Sequence, residues 1–167
     1  MKNVLAGLLL GLLFLGCSSQ ETDTQPVEPT LVLEKSVADL VLNDQHEKAH
    51  NISADTKTLI FAFSKDMGHI CNDFFATKTD DYLSTNNAMF IADVSSAPSV
   101  IRSMFIMPGL KDFKHTVLVI DDENIARGFK SGQDSEKIVV VSLENRIIKA
   151  INTLATVEDL SKKIEQK

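Results

Sequence analysis

Two places in the chain have residue types and spacing that could do chemistry. His46-Glu47-Lys48-Ala49-His50 sets two imidazoles four residues apart, with a carboxylate beside the first. On a helix that spacing brings both rings to one metal ion and leaves Glu47 as a general base. The flanks argue for something else. Asn43-Asp44-Gln45 before and Asn51 after are turn formers, and no further glutamate occurs until Glu123. A polar hairpin turn is expected there, with no metal site. The second place is Cys71, with His69 two residues before it. A thiol becomes a nucleophile when its pKa is lowered, as the unpaired N–H groups of a helix's first turn can do. On the apolar face of a helix it packs instead as a small hydrophobe. Phe74 and Phe75 favour that second reading. His115 and the acidic run Asp121-Asp122-Glu123 stand apart from other ligand types in the sequence. With no phosphate loop and no dinucleotide fingerprint, no cofactor is expected.

The other cysteine, Cys17, belongs to a different part of the chain. Lys2 is the only charged side chain before it, and residues 4–15 are Val, Leu, Ala, Gly and Phe. Twelve residues make ~18 Å of helix, too short to cross a ~30 Å hydrocarbon core. A basic start, a short apolar block and a small residue before the break describe a secretory signal over residues 1–16. Phe14-Leu15-Gly16-Cys17 resembles the lipobox of bacterial lipoproteins, with Phe14 where Leu is usual. That resemblance implies cleavage before Cys17, acylation of Cys17 by chains such as palmitate, and a membrane as partner through the lipid anchor. Where the host is Gram-negative, Ser18 in place of Asp implies the periplasmic face of the outer membrane. Residues 17–30 then form a polar tether, in which Val27 is the one apolar residue besides the lipidated Cys and the prolines. Its thirteen residues after Cys17 reach at most ~45 Å.

The chain carries 17 basic and 23 acidic side chains, for a net charge of −6. Loss of Lys2 with the leader makes the balance more acidic still. A nucleic-acid partner is excluded on that ground, because phosphates need a basic face. Beyond residue 30 the pattern alternates between strand and helix. Residues 58–63 and 88–94 read as strands buried on both faces. Ile70, Cys71, Phe74 and Phe75 predict the buried stripe of one helix, with Cys71 in its first turn. Val100, Ile101, Met104 and Phe105 predict the buried stripe of a second, stopped by Pro108-Gly109. A third strand is expected over 116–120. After an acidic turn, residues 125–129 and 137–143 are read as further strands, the latter pairing with 146–154 across a turn at Glu144-Asn145. A last helix should be capped by Thr156. The order implies a mixed sheet with helices on both faces.

The segment Leu59-Ile60-Phe61-Ala62-Phe63-Ser64-Lys65-Asp66-Met67-Gly68-His69-Ile70-Cys71 resembles the strand-loop-helix that carries the active site of thioredoxin-like proteins. Leu42-Asn43-Asp44-Gln45-His46-Glu47-Lys48 and Thr116-Val117-Leu118-Val119-Ile120-Asp121-Asp122 resemble other turns and strands of the peroxiredoxin-like branch. The resemblance implies an α/β, thioredoxin-like three-layer fold over residues 31–167. Its mixed central sheet would carry helices on both faces and an N-terminal strand or hairpin over 37–52. Cys71 falls on the second cysteine of C-x-x-C, with Gly68 in place of the first. In the pattern P-x-x-x-T-x-x-C it falls on the peroxidatic cysteine, with Ser64 and Gly68 in place of Pro and Thr. With Cys17 acylated one free thiol remains, so intramolecular dithiol exchange is excluded. The expected function is a binding or scaffold module for a periplasmic protein. The alternative is a one-cysteine peroxidase or reductase-like enzyme using Cys71, with His69 and Arg102 as helpers.

Overall fold

The computed structural model describes residues 27–165. The expected leader, Cys17 and the first part of the expected tether lie outside that range. The elements run β1 (Val41–Asp44), β2 (Ala49–Asn51), β3 (Thr58–Ala62), α1 (Lys65–Ala76), α2 (Tyr82–Thr85) and β4 (Ala88–Asp93). A continuous helix follows, made of α3 (Ser99–Ile101), a π-helical stretch (Arg102–Ile106) and α4 (Met107–Lys111). Then come β5 (Val117–Ile120), α5 (Glu123–Lys130), β6 (Ile138–Glu144), β7 (Ile147–Leu154) and α6 (Val157–Glu165).

The strands form one seven-stranded sheet in the order β2-β1-β5-β4-β3-β6-β7. β3, β4 and β5 are parallel, while β1 and β6 flank them antiparallel. The apolar runs of β3 to β6 give every second residue to each face. Leu59, Phe61, Ile91, Leu118, Val139 and Val141 face α5 through Ala126 and Phe129. Ile60, Ala62, Phe90, Val119, Ile138 and Val140 face Cys71 and Phe75 of α1, Leu110 of α4 and Leu160 of α6. This is the expected three-layer arrangement, with the β1–β2 hairpin as its N-terminal extension.

Local chemistry explains several boundaries. Thr156 accepts from the Asp159 N–H and donates to its carboxylate, capping α6 as expected. The β6–β7 turn sits one residue later than expected, at Asn145-Arg146, because both adopt positive φ (49° and 65°) and Glu144 stays in the strand. Residues 125–129 are helical rather than extended, since the Asp122 carboxylate accepts from the N–H groups of Asn124 and Ile125 and starts α5. Thr30 donates its N–H to Gly128 O at 2.9 Å, and a Cβ on residue 128 would lie 2.6 Å from Thr30 Oγ1. The docked chain thus includes Thr30, and Gly128 permits that approach.

The largest departure concerns residues 99–111. The expected buried stripe points outward: Val100, Ile101, Met104 and Phe105 are 61%, 43%, 63% and 64% exposed. Ile106, Met107 and Leu110 pack on the sheet instead. Pro108-Gly109 does not stop the helix. Proline lacks an N–H, and the π-helical stretch, in which Met107 N–H donates to Arg102 O, carries the ladder past it. This helix is apolar on two sides, so periodicity alone does not fix which side turns inward.

Candidate functional site

Cys71 does not lie in a first helical turn. Ser64, with extended φ and ψ, accepts from Met67 N–H and caps α1, so the helix starts at Lys65 and Cys71 is its seventh residue. The unpaired N–H groups lie nearly two turns away, beyond the reach of the helix-end effect. Cys71 is fully buried beside Phe75, and burial pushes its thiol up to about 12. His69 is exposed on the same helix, as is Ile70, which was expected in the buried stripe. Arg102 donates from Nη1 to Ser95 O (2.9 Å) and Ala97 O (2.6 Å), which fixes the loop between β4 and α3. The structure therefore gives Cys71, His69 and Arg102 three separate environments.

The His46–His50 motif forms the β1–β2 turn. Glu47 has φ 66°, and His50 Nε2 donates to Asp44 Oδ2 at 2.7 Å. Burial acts to raise the Asp44 carboxyl, yet the bonds from His50 and from the N–H groups of Lys48 and His46 hold it below the usual carboxylate range. Among the described residues no three His, Cys, Asp or Glu side chains gather as metal ligands. His50 also borders an open groove of about 460 Å³ at the amino end of the parallel strands, beside Asp55, Asp80 and Asn87.

Three comparisons bear on this architecture. No protein-family model matches the sequence, and no curated protein matches it. Among solved structures, a peroxiredoxin-like protein from Aquifex aeolicus superposes with TM-score 0.51 at 9% identity, over 84% of this chain and 90% of that one. A thioredoxin-like protein from Porphyromonas gingivalis gives 0.49 at 14% identity (79% and 93% covered), and the mitochondrial 2-cys peroxiredoxin of Plasmodium falciparum gives 0.48 at 10% (80% and 92%). The fold is thioredoxin-like. Identities this low speak to the fold alone.

Within this thioredoxin-like fold, the carboxyl ends of the parallel strands form the edge where open α/β sheets place their ligands. Here that edge holds Ser64 after β3 and Asp93 at the end of β4. Asp93 accepts from Ser95 N–H at 2.8 Å and pairs with Lys130 of α5 at 2.7 Å. The Lys130 ammonium compensates the charge of this carboxylate. Sequence reasoning missed this pair, whose members are far apart along the chain.

It also missed two buried polar clamps on the other side. Gln45 donates from Nε2 to His115 O and accepts from Val117 N–H, so its side chain extends the β1–β5 pairing. His115 lies 3.0 Å from Asn72 Oδ1, beside Cys71 in sequence, and packs against Phe75, Phe90 and Phe113. Because Oδ1 only accepts, the neutral ring donates from Nε2. Burial lowers His115 to about 4 from an ordinary 6.5. As the pH falls, the unfolded chain takes up this proton first, so stability is lost between pH 6.5 and 4. Urea unfolding should show a loss of about 2–3 kcal/mol from this group between pH 7 and 4.5. His115→Gln should remove most of that slope; an unchanged slope would show that a buried neutral imidazole is not its source.

Proposed function

We propose that this chain is a lipid-anchored periplasmic lipoprotein whose thioredoxin-like domain binds a protein partner and performs no thiol redox chemistry. The depth of Cys71 carries the reading. A thiol at about 12 and fully buried is neither ionised nor reachable at neutral pH. Cys17 is the only other cysteine, and its lipobox setting assigns it to the anchor. The leader, the acylated Cys17 and the short polar tether support attachment at the membrane, with Ser18 favouring the outer membrane.

The test is alkylation of the folded chain, with Cys17 either acylated or replaced by Ser. Cys71 should stay unmodified at pH 8 and react with one equivalent of reagent on unfolding. Against an ordinary thiol the folded chain should react at least about 10³-fold more slowly. Rapid labelling at pH 7, with peroxide consumption that a Cys71→Ser variant loses, would overturn the reading in favour of a one-cysteine peroxidase. Anchoring is tested separately by the mass of the N-terminal peptide and by release of a Cys17→Ser variant from the membrane fraction.

A further inference from the structure

We propose that the exposed apolar face of residues 99–111 seats on the surface of the lipid bilayer that carries the anchor, which orients the thioredoxin-like domain against the membrane. The proposal rests on the anchor reading above for its setting. Val100, Ile101, Met104 and Phe105 follow an i, i+1, i+4, i+5 pattern and form one contiguous outward face. Scattered surface apolar residues are ordinary, but a contiguous face on one helix marks something that covers it.

Charge selects the lipid surface. The chain has 23 carboxylate side chains against 17 basic ones, yet Val94 to Lys111 contains Arg102 and Lys111 and no acidic residue. An anionic phospholipid surface would repel most of this protein and admit this stretch. Acidic groups resume at its border: Glu47 and Asp121 line the groove beyond Met107, which favours a face lying in the headgroup region rather than a deeper insertion.

The short tether adds confinement. Thr30 is held at Gly128, one helical turn from Ile125, and Ile125 lines the same groove as Met107. Thr30 thus docks on α5, across the sheet from this helix, and the thirteen residues after Cys17 confine the whole domain to within ~45 Å of the anchor. Confinement raises the effective concentration of the bilayer at the helix, so a face of four side chains is enough.

The test uses the full chain acylated at Cys17 in vesicles of phosphatidylethanolamine and phosphatidylglycerol. An environment-sensitive dye is placed on Met104→Cys and, in a second protein, on Asp55→Cys at the opposite end of the sheet. Quenching by spin-labelled lipid should be about fivefold or more stronger at 104, with a blue-shifted emission. Adding Phe105→Asp, at a position too exposed to disturb folding, should abolish the contrast. Equal quenching at both positions would overturn the proposal. So would a blue shift that appears without vesicles and follows a doubled mass in sedimentation, since a second copy would then cover the face. If the N-terminal peptide carries no acyl chain, the anchor reading fails. The unacylated chain on the same vesicles then decides the face: a quenching contrast supports it, and none overturns it.

Discussion

Phe61→Ala lowers the free energy of unfolding by about 3–5 kcal/mol. Phe61 lies in β3, an interior strand between β4 and β6, and is fully buried. Its backbone is registered to Ile91 on one side and Val139 on the other. Its ring lies 5.4 Å from Phe63 and 5.3 Å from Phe129, so it couples the sheet to α5. Truncation removes the transfer energy of the ring and leaves a cavity that the fixed strands on both sides cannot close. A domain stable by about 5–15 kcal/mol loses a large fraction of its margin. Denaturant midpoints at unchanged slope measure it, and a loss under about 1 kcal/mol would refute the placement. Phe105→Ala is the matched contrast. At 64% exposure it should change stability by no more than about 0.5 kcal/mol. A loss above about 2 kcal/mol at Phe105 would mean that the helix presents the opposite side to the sheet.

The contrast between these two phenylalanines shows what the amino-acid pattern could and could not reveal. Strands buried on both faces write themselves as short apolar runs, so β3, β4 and β5 were legible, and with them the mixed sheet. The β1–β2 hairpin was legible because turn formers flank the His46–His50 motif. Orientation was harder where a helix is apolar on two sides. In residues 99–111 both stripes satisfy a helical period, and the choice is made by the sheet, which accepts Ile106 and Leu110. The proline added to the error, since a π-helical stretch absorbs what would break a regular helix. The start of α1 turned on a single residue, Ser64, whose cap places Cys71 deep in the helix. Polar pairs left no local signature: Asn72 and His115, or Gln45 and Val117, meet only because the sheet brings distant segments together.

The same reasoning locates the chemistry. A thioredoxin-like fold offers its helix start as a reactive site only when the thiol stands at that start. In this chain the turn Ser64 to Met67 holds a hydroxyl, an amine, a carboxylate and a thioether. None of them reproduces thiol exchange. What remains at that end is a fixed loop and a helix with its apolar side outward.

Lys130→Met lowers stability by about 3–5 kcal/mol at pH 7, because it strands a buried carboxylate. The Asp93 side chain is 1% exposed and its Lys130 partner 28%. With the ammonium gone, the carboxylate keeps a single N–H donor, from Ser95, and no counter-charge. The double variant Asp93→Asn, Lys130→Met removes both charges and should recover about 2 kcal/mol or more of that loss. Equal stability of the single and double variants would show that the pair carries no coupling. The consequence extends past stability. Asp93 holds the turn at Ser95, and Arg102 holds the carbonyls of Ser95 and Ala97 from the helix side. These two contacts set the loop that delivers the helix with Val100, Met104 and Phe105 outward. Lys130→Met should therefore weaken lipid quenching at position 104 at temperatures where the domain is still folded, whereas Phe61→Ala should leave it unchanged until the domain unfolds. A variant in which the pair is broken and the quenching contrast survives intact would separate the ion pair from the helix it is argued to position.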